Sequence, residues 1–204
     1  VLEAMARDIR MTGYYPRVTT RTITGVTVTE AVEAPPTWPL SGGLAILGVG
    51  DDDITLQRRN EGNTAFLSQR YFVGPRTVGS ETPTCPGAAN SLFVQRDGNP
   101  PQELIEGVQL MRIFYGEDTL PTGGTPSVAR QYVPVGGVGN WNNVVSVQIN
   151  LLLVSLENNL ITTPQGQQQT VVFPDNAGNP VQQAVSDRCL GQVFSTTVAL
   201  RNLP

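Results

Sequence analysis

Leu2, Met5, Ala6 and Ile9 fall at i, i+3, i+4 and i+7, with Glu3, Arg7, Asp8 and Arg10 between them. That spacing predicts one amphipathic helix over residues 1–14. Glu3 stands four residues before Arg7, the favourable order for a helical ion pair, and Gly13 is placed to end the helix in the left-handed conformation, with Pro16 beyond it. A helix this short is marginal alone, so its apolar face, led by Leu2, Met5 and Ile9, is expected to pack on a sheet, or the helix to continue upstream.

From residue 15 onward the pattern changes to Thr, Val, Gly and Pro with period-two stretches, which predicts strands and turns. Ile23, then Val26 and Val28, change parity across Gly25, the expected mark of a bulge. Short strands are expected at 44–49, 53–58, 65–73, 91–96, 128–133 and 170–173. The strongest alternation runs through Val145, Val147, Ile149, Leu151 and Leu153, with Ser146, Gln148 and Asn150 opposite. Residues 104–115 fit either period, and Gly107 favours strand by weakening a helix. A last half-buried strand is expected through Phe194, Thr196, Val198 and Leu200. Stretches rich in Gly, Pro, Asn or Gln at 81–90, 119–126, 134–143 and 163–169 are predicted loops.

Composition narrows the chemistry. The 204 residues include 21 Gly and 16 Pro, which fits a turn-rich globular chain. There is no His, and all 13 basic residues are Arg. Histidine-dependent nucleophile systems, imidazole metal ligands, lysine Schiff bases and the phosphate-binding lysine of nucleotide loops are therefore excluded. A net charge of -4 with scattered Arg leaves no basic stripe for nucleic acid, and no nucleic acid or small-molecule substrate is expected as partner.

What remains is weak. Asp51, Asp52 and Asp53 form an acidic cluster that could offer hard oxygen ligands to calcium, against the plainer reading of a solvated turn leading into a strand. Glu103 or Glu106 with Glu117 could in principle form a paired-carboxylate site, as could many pairs among 17 acids. Gly42-Gly43 and Gly48-x-Gly50 lack the strand–turn–helix context of a nucleotide loop. No catalytic constellation emerges, and neither cofactor nor bound metal is expected. Cys85 and Cys189 are distant and not in zinc spacing. A disulfide, closing a loop of roughly 100 residues in an oxidising compartment, is their simplest use; two separate buried thiols are the alternative.

Five strings in fixed order carry a resemblance. They are LEAMARDIRMTGYY at 2–15, DDDITLQR at 51–58, ELIEGVQLMRIFYGEDT at 103–119, NWNNVVSVQINLLLVS at 140–155 and DRCLGQVFSTTVALRN at 187–202. The chain resembles PilW-type minor pilins of type IV pili. The resemblance implies an α+β pilin fold, with residues 1–14 the periplasmic half of the pilin helix, packed on antiparallel sheet, and residues 15–204 a β-rich head. It implies a non-catalytic component that primes or caps pilus assembly through other minor pilins and the major pilin. It also implies an inner-membrane anchor through an apolar helix upstream of Val1, a periplasmic head, and eventual residence in the filament at the bacterial surface. A J-type minor pseudopilin of type II secretion shares this fold. A secreted β-rich ligand-binding domain using the turn at Asp51, Asp52 and Asp53 is the reading from another class.

Overall fold

The computed structural model describes residues 1–14, 21–23, 26–28, 38, 40, 44–59, 65–77, 82–120, 126–158, 168–186 and 188–200. Helix α1 covers Leu2–Arg10. It stops short of the expected residue 14: the Met11 amide donates back to the carbonyls of Arg7 and Asp8 at the helix end, and Gly13 takes the expected left-handed conformation just beyond it, at φ 73°. The Gly13 amide then donates to the Gln57 carbonyl, turning the exit onto a strand. Pro16 lies outside the described residues, as do Gly42-Gly43 and residues 163–167 of the loop expected at 163–169.

The rest is antiparallel β. A short hairpin pairs β1 (Arg21–Ile23) with β2 (Val26–Val28). Ile23 pairs with Val26, and Gly25, where a bulge was expected, lies outside the described residues. A five-stranded meander follows in the order β3 (Ile46–Gly50), β4 (Asp53–Arg59), β5 (Phe66–Pro75), β6 (Asn90–Arg96) and β7 (Gln102–Glu106). The second sheet has the order β13-β10-β8-β9, built from β8 (Val108–Glu117), β9 (Gln131–Val133), β10 (Val144–Val154) and β13 (Gly191–Ala199). A further hairpin pairs β11 (Thr170–Pro174) with β12 (Pro180–Ala184).

Residues 102–117 form two strands in different sheets, where the periodicity left helix and strand in competition. The corner is Gly107, at φ 77°, whose carbonyl accepts from the Val154 amide at 2.8 Å. Any Cβ at Gly107 would overlap the Val154 carbonyl oxygen, so glycine is needed there for both conformation and space.

One core joins helix and both sheets. Met5 and Ile9 are completely buried among Ile54, Leu92, Ile113 and Ile149, while Leu2 is partly buried at its rim. Strand β10 is covered on both faces. Val147, Ile149 and Leu151 face the main core, whereas Leu152 and Val154 face a second, smaller one with Ala88, Phe173, Val185 and a disulfide between Cys85 and Cys189. The α+β expectation holds in coarse form: one N-terminal helix on antiparallel sheets, with β structure dominating.

Candidate assembly surface

The apolar face of α1 runs along the junction of the two sheets, and its first turn ends at an open, mainly apolar groove of about 290 Å³. Leu2, Ile105, Leu151, Leu153 and Phe194 line it, with the exposed Val1 at its edge. Glu3, Ala4, Arg7 and Arg10 lie on the exposed side of the helix. Arg7 stands 3.7 Å from Asp8, instead of forming the expected pair with Glu3.

Asp8 departs from the sequence reading. A helical wheel groups it with the polar positions, yet it is buried, and its carboxylate accepts a 2.5 Å hydrogen bond from the Tyr71 hydroxyl on β5. Burial, reinforced by this bond to a carboxylate, raises the tyrosine's ionisation above the usual phenol range. The contact ties α1 to the five-stranded sheet by a polar link as well as by Met5 and Ile9.

The far end of β8 carries a second construction. Glu117 is buried and accepts from the amides of Gly139 and Asn140, at 3.2 and 2.6 Å, and from Gln131 Nε2 at 3.1 Å. Asp118 accepts from the amides of Leu120 and Ser127, both at 3.1 Å, and from Arg130 Nε at 3.0 Å. These bonds, the Ser127 amide foremost, hold the Asp118 carboxyl below its ordinary range. The two carboxylates thereby fasten flanking loop segments and present Leu120 and Val128, which are 68% and 62% exposed.

The acidic turn is already engaged. Asp53 is buried, not solvated as expected, and holds Arg70 through both carboxylate oxygens. Asp51 and Asp52 use their backbone carbonyls to receive the amides of Ile113 and Val73, at 2.9 and 3.3 Å. Among the described residues no group of three or more metal-binding side chains forms.

The candidate paired carboxylates are not brought together. Glu106 pairs with Arg76 at 2.8 Å and Glu103 receives the Ser91 hydroxyl, both on β7. Glu117 lies at the opposite end of ten-residue β8, a strand rise of about 30 Å away. No described helix is long and apolar enough to cross a membrane.

An N-terminal helix thus shares one core with antiparallel sheets and keeps its outer side exposed. Residues 70–202 match the family of the type IV pilus-assembly protein W, and the chain belongs to that family. A solved type IV-like pilin from Thermus thermophilus aligns over 100% of this chain and 94% of its own, at 15% identity and a TM-score of 0.42. No curated protein matches the sequence.

Proposed function

We propose that the chain is a minor pilin, a non-catalytic subunit that enters the type IV pilus through contacts with other minor pilins and the major pilin and helps to prime or cap assembly. The observation that carries this reading is the construction of α1. Its inner face, Met5 and Ile9 above all, is locked into the core of the head, while Leu2 and Val1 lead to an open apolar groove and Glu3, Ala4 and Arg7 are exposed on its outer side. Such a helix transmits a force or a position to the head without moving relative to it.

In this reading residues 1–14 are the periplasmic part of a longer pilin helix. Its apolar part holds the subunit in the inner membrane before insertion and packs with sibling helices afterwards. The carboxylate-fastened end bearing Leu120 and Val128 is the head's contact with a neighbouring subunit.

The test is genetic and biochemical together. Deleting the gene should abolish or sharply reduce surface pili, with restoration by the wild-type copy, and the head should co-purify with the heads of minor pilins encoded beside it. Normal piliation in the deletion strain, with no complex among the purified heads, would overturn the reading. Loss of protein secretion with pili intact would instead assign the chain to a type II machine.

A further inference from the structure

The face of the second sheet turned away from α1 carries a groove that the assembly reading does not use. Asn150 alternates along β10 with Ile149 and Leu151, whose side chains belong to the core under α1, so its side chain points to the opposite face. It is only 4% exposed. Its Oδ1 accepts from Ser195 Oγ at 2.7 Å, but its Nδ2 has no hydrogen-bond partner among the described residues. A buried donor left in this state costs free energy unless something arrives to bond it. Gln148, two residues earlier on the same face, is half-buried.

Both amides line a groove of about 280 Å³ between the sheet and the β11–β12 hairpin. The hairpin wall is held in place by its tip. Asp175 Oδ1 accepts from the amides of Ala177 and Asn179, both at 2.8 Å, and Gly178, at φ 89°, lies against the Phe114 ring. Pro174 and Pro180 pair across this wall. Tyr132 lines the groove as well, 42% exposed, its hydroxyl accepting from Ser146 Oγ at 3.0 Å.

The chemistry of this lining selects a ligand class. None of the lining residues is charged, so phosphates, carboxylates and nucleotides find no counter-charge. Side-chain amides offer donors and an acceptor together, which matches hydroxyl groups that do the same. The tyrosine ring offers a flat apolar face of the kind that takes the C–H face of a pyranose, and Pro174 and Pro180 add apolar wall beside it. The volume lies near the lower end of small-molecule sites, room for about one ring and too little for a helix. We propose that this groove binds a neutral saccharide, one ring at a time, with Gln148 and Asn150 on its hydroxyls and Tyr132 against its apolar face.

The experiment is saturation-transfer NMR on the purified chain with methyl glucoside, N-acetylglucosamine and N-acetylgalactosamine as probes. A capped alanine tripeptide and inorganic phosphate serve as comparators. The expected result is transfer to the ring protons of at least one sugar, with a Kd on the order of 1 mM for so small a ligand. Gln148→Ala, at unchanged melting temperature, and Tyr132→Ala, with the chain still folded, should each weaken it at least tenfold, and Tyr132→Phe, which keeps the ring, should retain most of it. No transfer to any of the three sugars, transfer to the tripeptide or phosphate alone, or binding indifferent to both alanine variants would overturn the proposal. The outcome leaves the assembly role where it stands, since that reading is carried by α1 and uses none of the residues that line this groove.

Discussion

Asp8 of α1 and Tyr71 of β5, 63 residues apart in sequence, share a buried 2.5 Å hydrogen bond at the seam between helix and five-stranded sheet. Arg7 stands 3.7 Å from the carboxylate, but with its guanidinium exposed to solvent. The tyrosine hydroxyl is therefore its main source of compensation for leaving water.

Removing that hydroxyl isolates the cost. Tyr71→Phe keeps the ring and its packing but leaves Asp8 buried without its donor, so stability should fall by about 1.5–3 kcal/mol, the range for a hydrogen bond to a charged group. For a chain of this size the melting temperature should drop by roughly 3–12 °C. Asp8→Asn, which keeps hydrogen-bonding capacity without the buried charge, should cost less. Calorimetry on the two variants decides it, and equal losses would show that the charge is not what Tyr71 compensates.

Alkaline pH addresses the same group from another side. Tyr71 is held above its ordinary ionisation by burial first and by the bond to Asp8 second. Tyr115 is raised by burial first and then by the charges of Asp53 and Asp51, and its hydroxyl has no described partner. Both phenols are raised in the folded state, so the unfolded chain loses their protons first, from an ordinary value of 10.0. Above that pH the unfolded state binds fewer protons, and the free energy of unfolding falls as pH rises. Their contribution is complete below about pH 10 and is lost on going higher. Denaturant titrations between about pH 9 and pH 11 should show this decline, shallower in Tyr71→Phe and in Tyr115→Phe than in the wild type. A wild-type slope matched by both variants would refute the assignment.

The parts of this fold that were legible in the sequence are those where one periodicity met one environment. Met5 and Ile9 repeat at helical spacing and are buried, and Phe194, Val198 and Leu200 alternate towards the same core. The reading stopped where a strand has two covered faces. Ser146, Gln148 and Asn150 form the polar side of β10, opposite the alternating apolar face, yet Ser146 and Asn150 are buried, and Leu152 and Val154 continue that side into the second core. β12, Pro180–Ala184, escaped because one Val among Gln and Pro gives no apolar alternation; the neighbouring β11 supplies the pairing. Asp8 was invisible for a different reason. Its partner lies in another element, and no local pattern reports a hydrogen bond made across 63 residues. Of the groove lining, the sequence offered only Gln148 and Asn150 on one strand face, and the hairpin that closes over them comes from elsewhere in the chain.

The link between Cys85 and Cys189 acts on the largest loop available to it, a sequence separation of 104 that encloses strands β6 through β12. It fastens the segment before β6 and the approach to β13 to the same face of β10, beside Leu152, Val154, Phe173 and Val185. Loop-closure entropy for this separation predicts that the link stabilises the fold by about 4–5 kcal/mol, through the unfolded chain. Replacing both cysteines by alanine should therefore lower the melting temperature by roughly 8–20 °C. Reductant applied to the wild type should reproduce most of that change. The two treatments separate entropy from packing, because the reduced wild type retains both sulfur atoms in the second core whereas the double variant loses them. Non-reducing peptide mapping checks the premise directly, with Cys85 and Cys189 expected in one linked fragment. If the linked wild type and its reduced form melt together, cross-linking contributes nothing here and the second core stands on its apolar contacts alone.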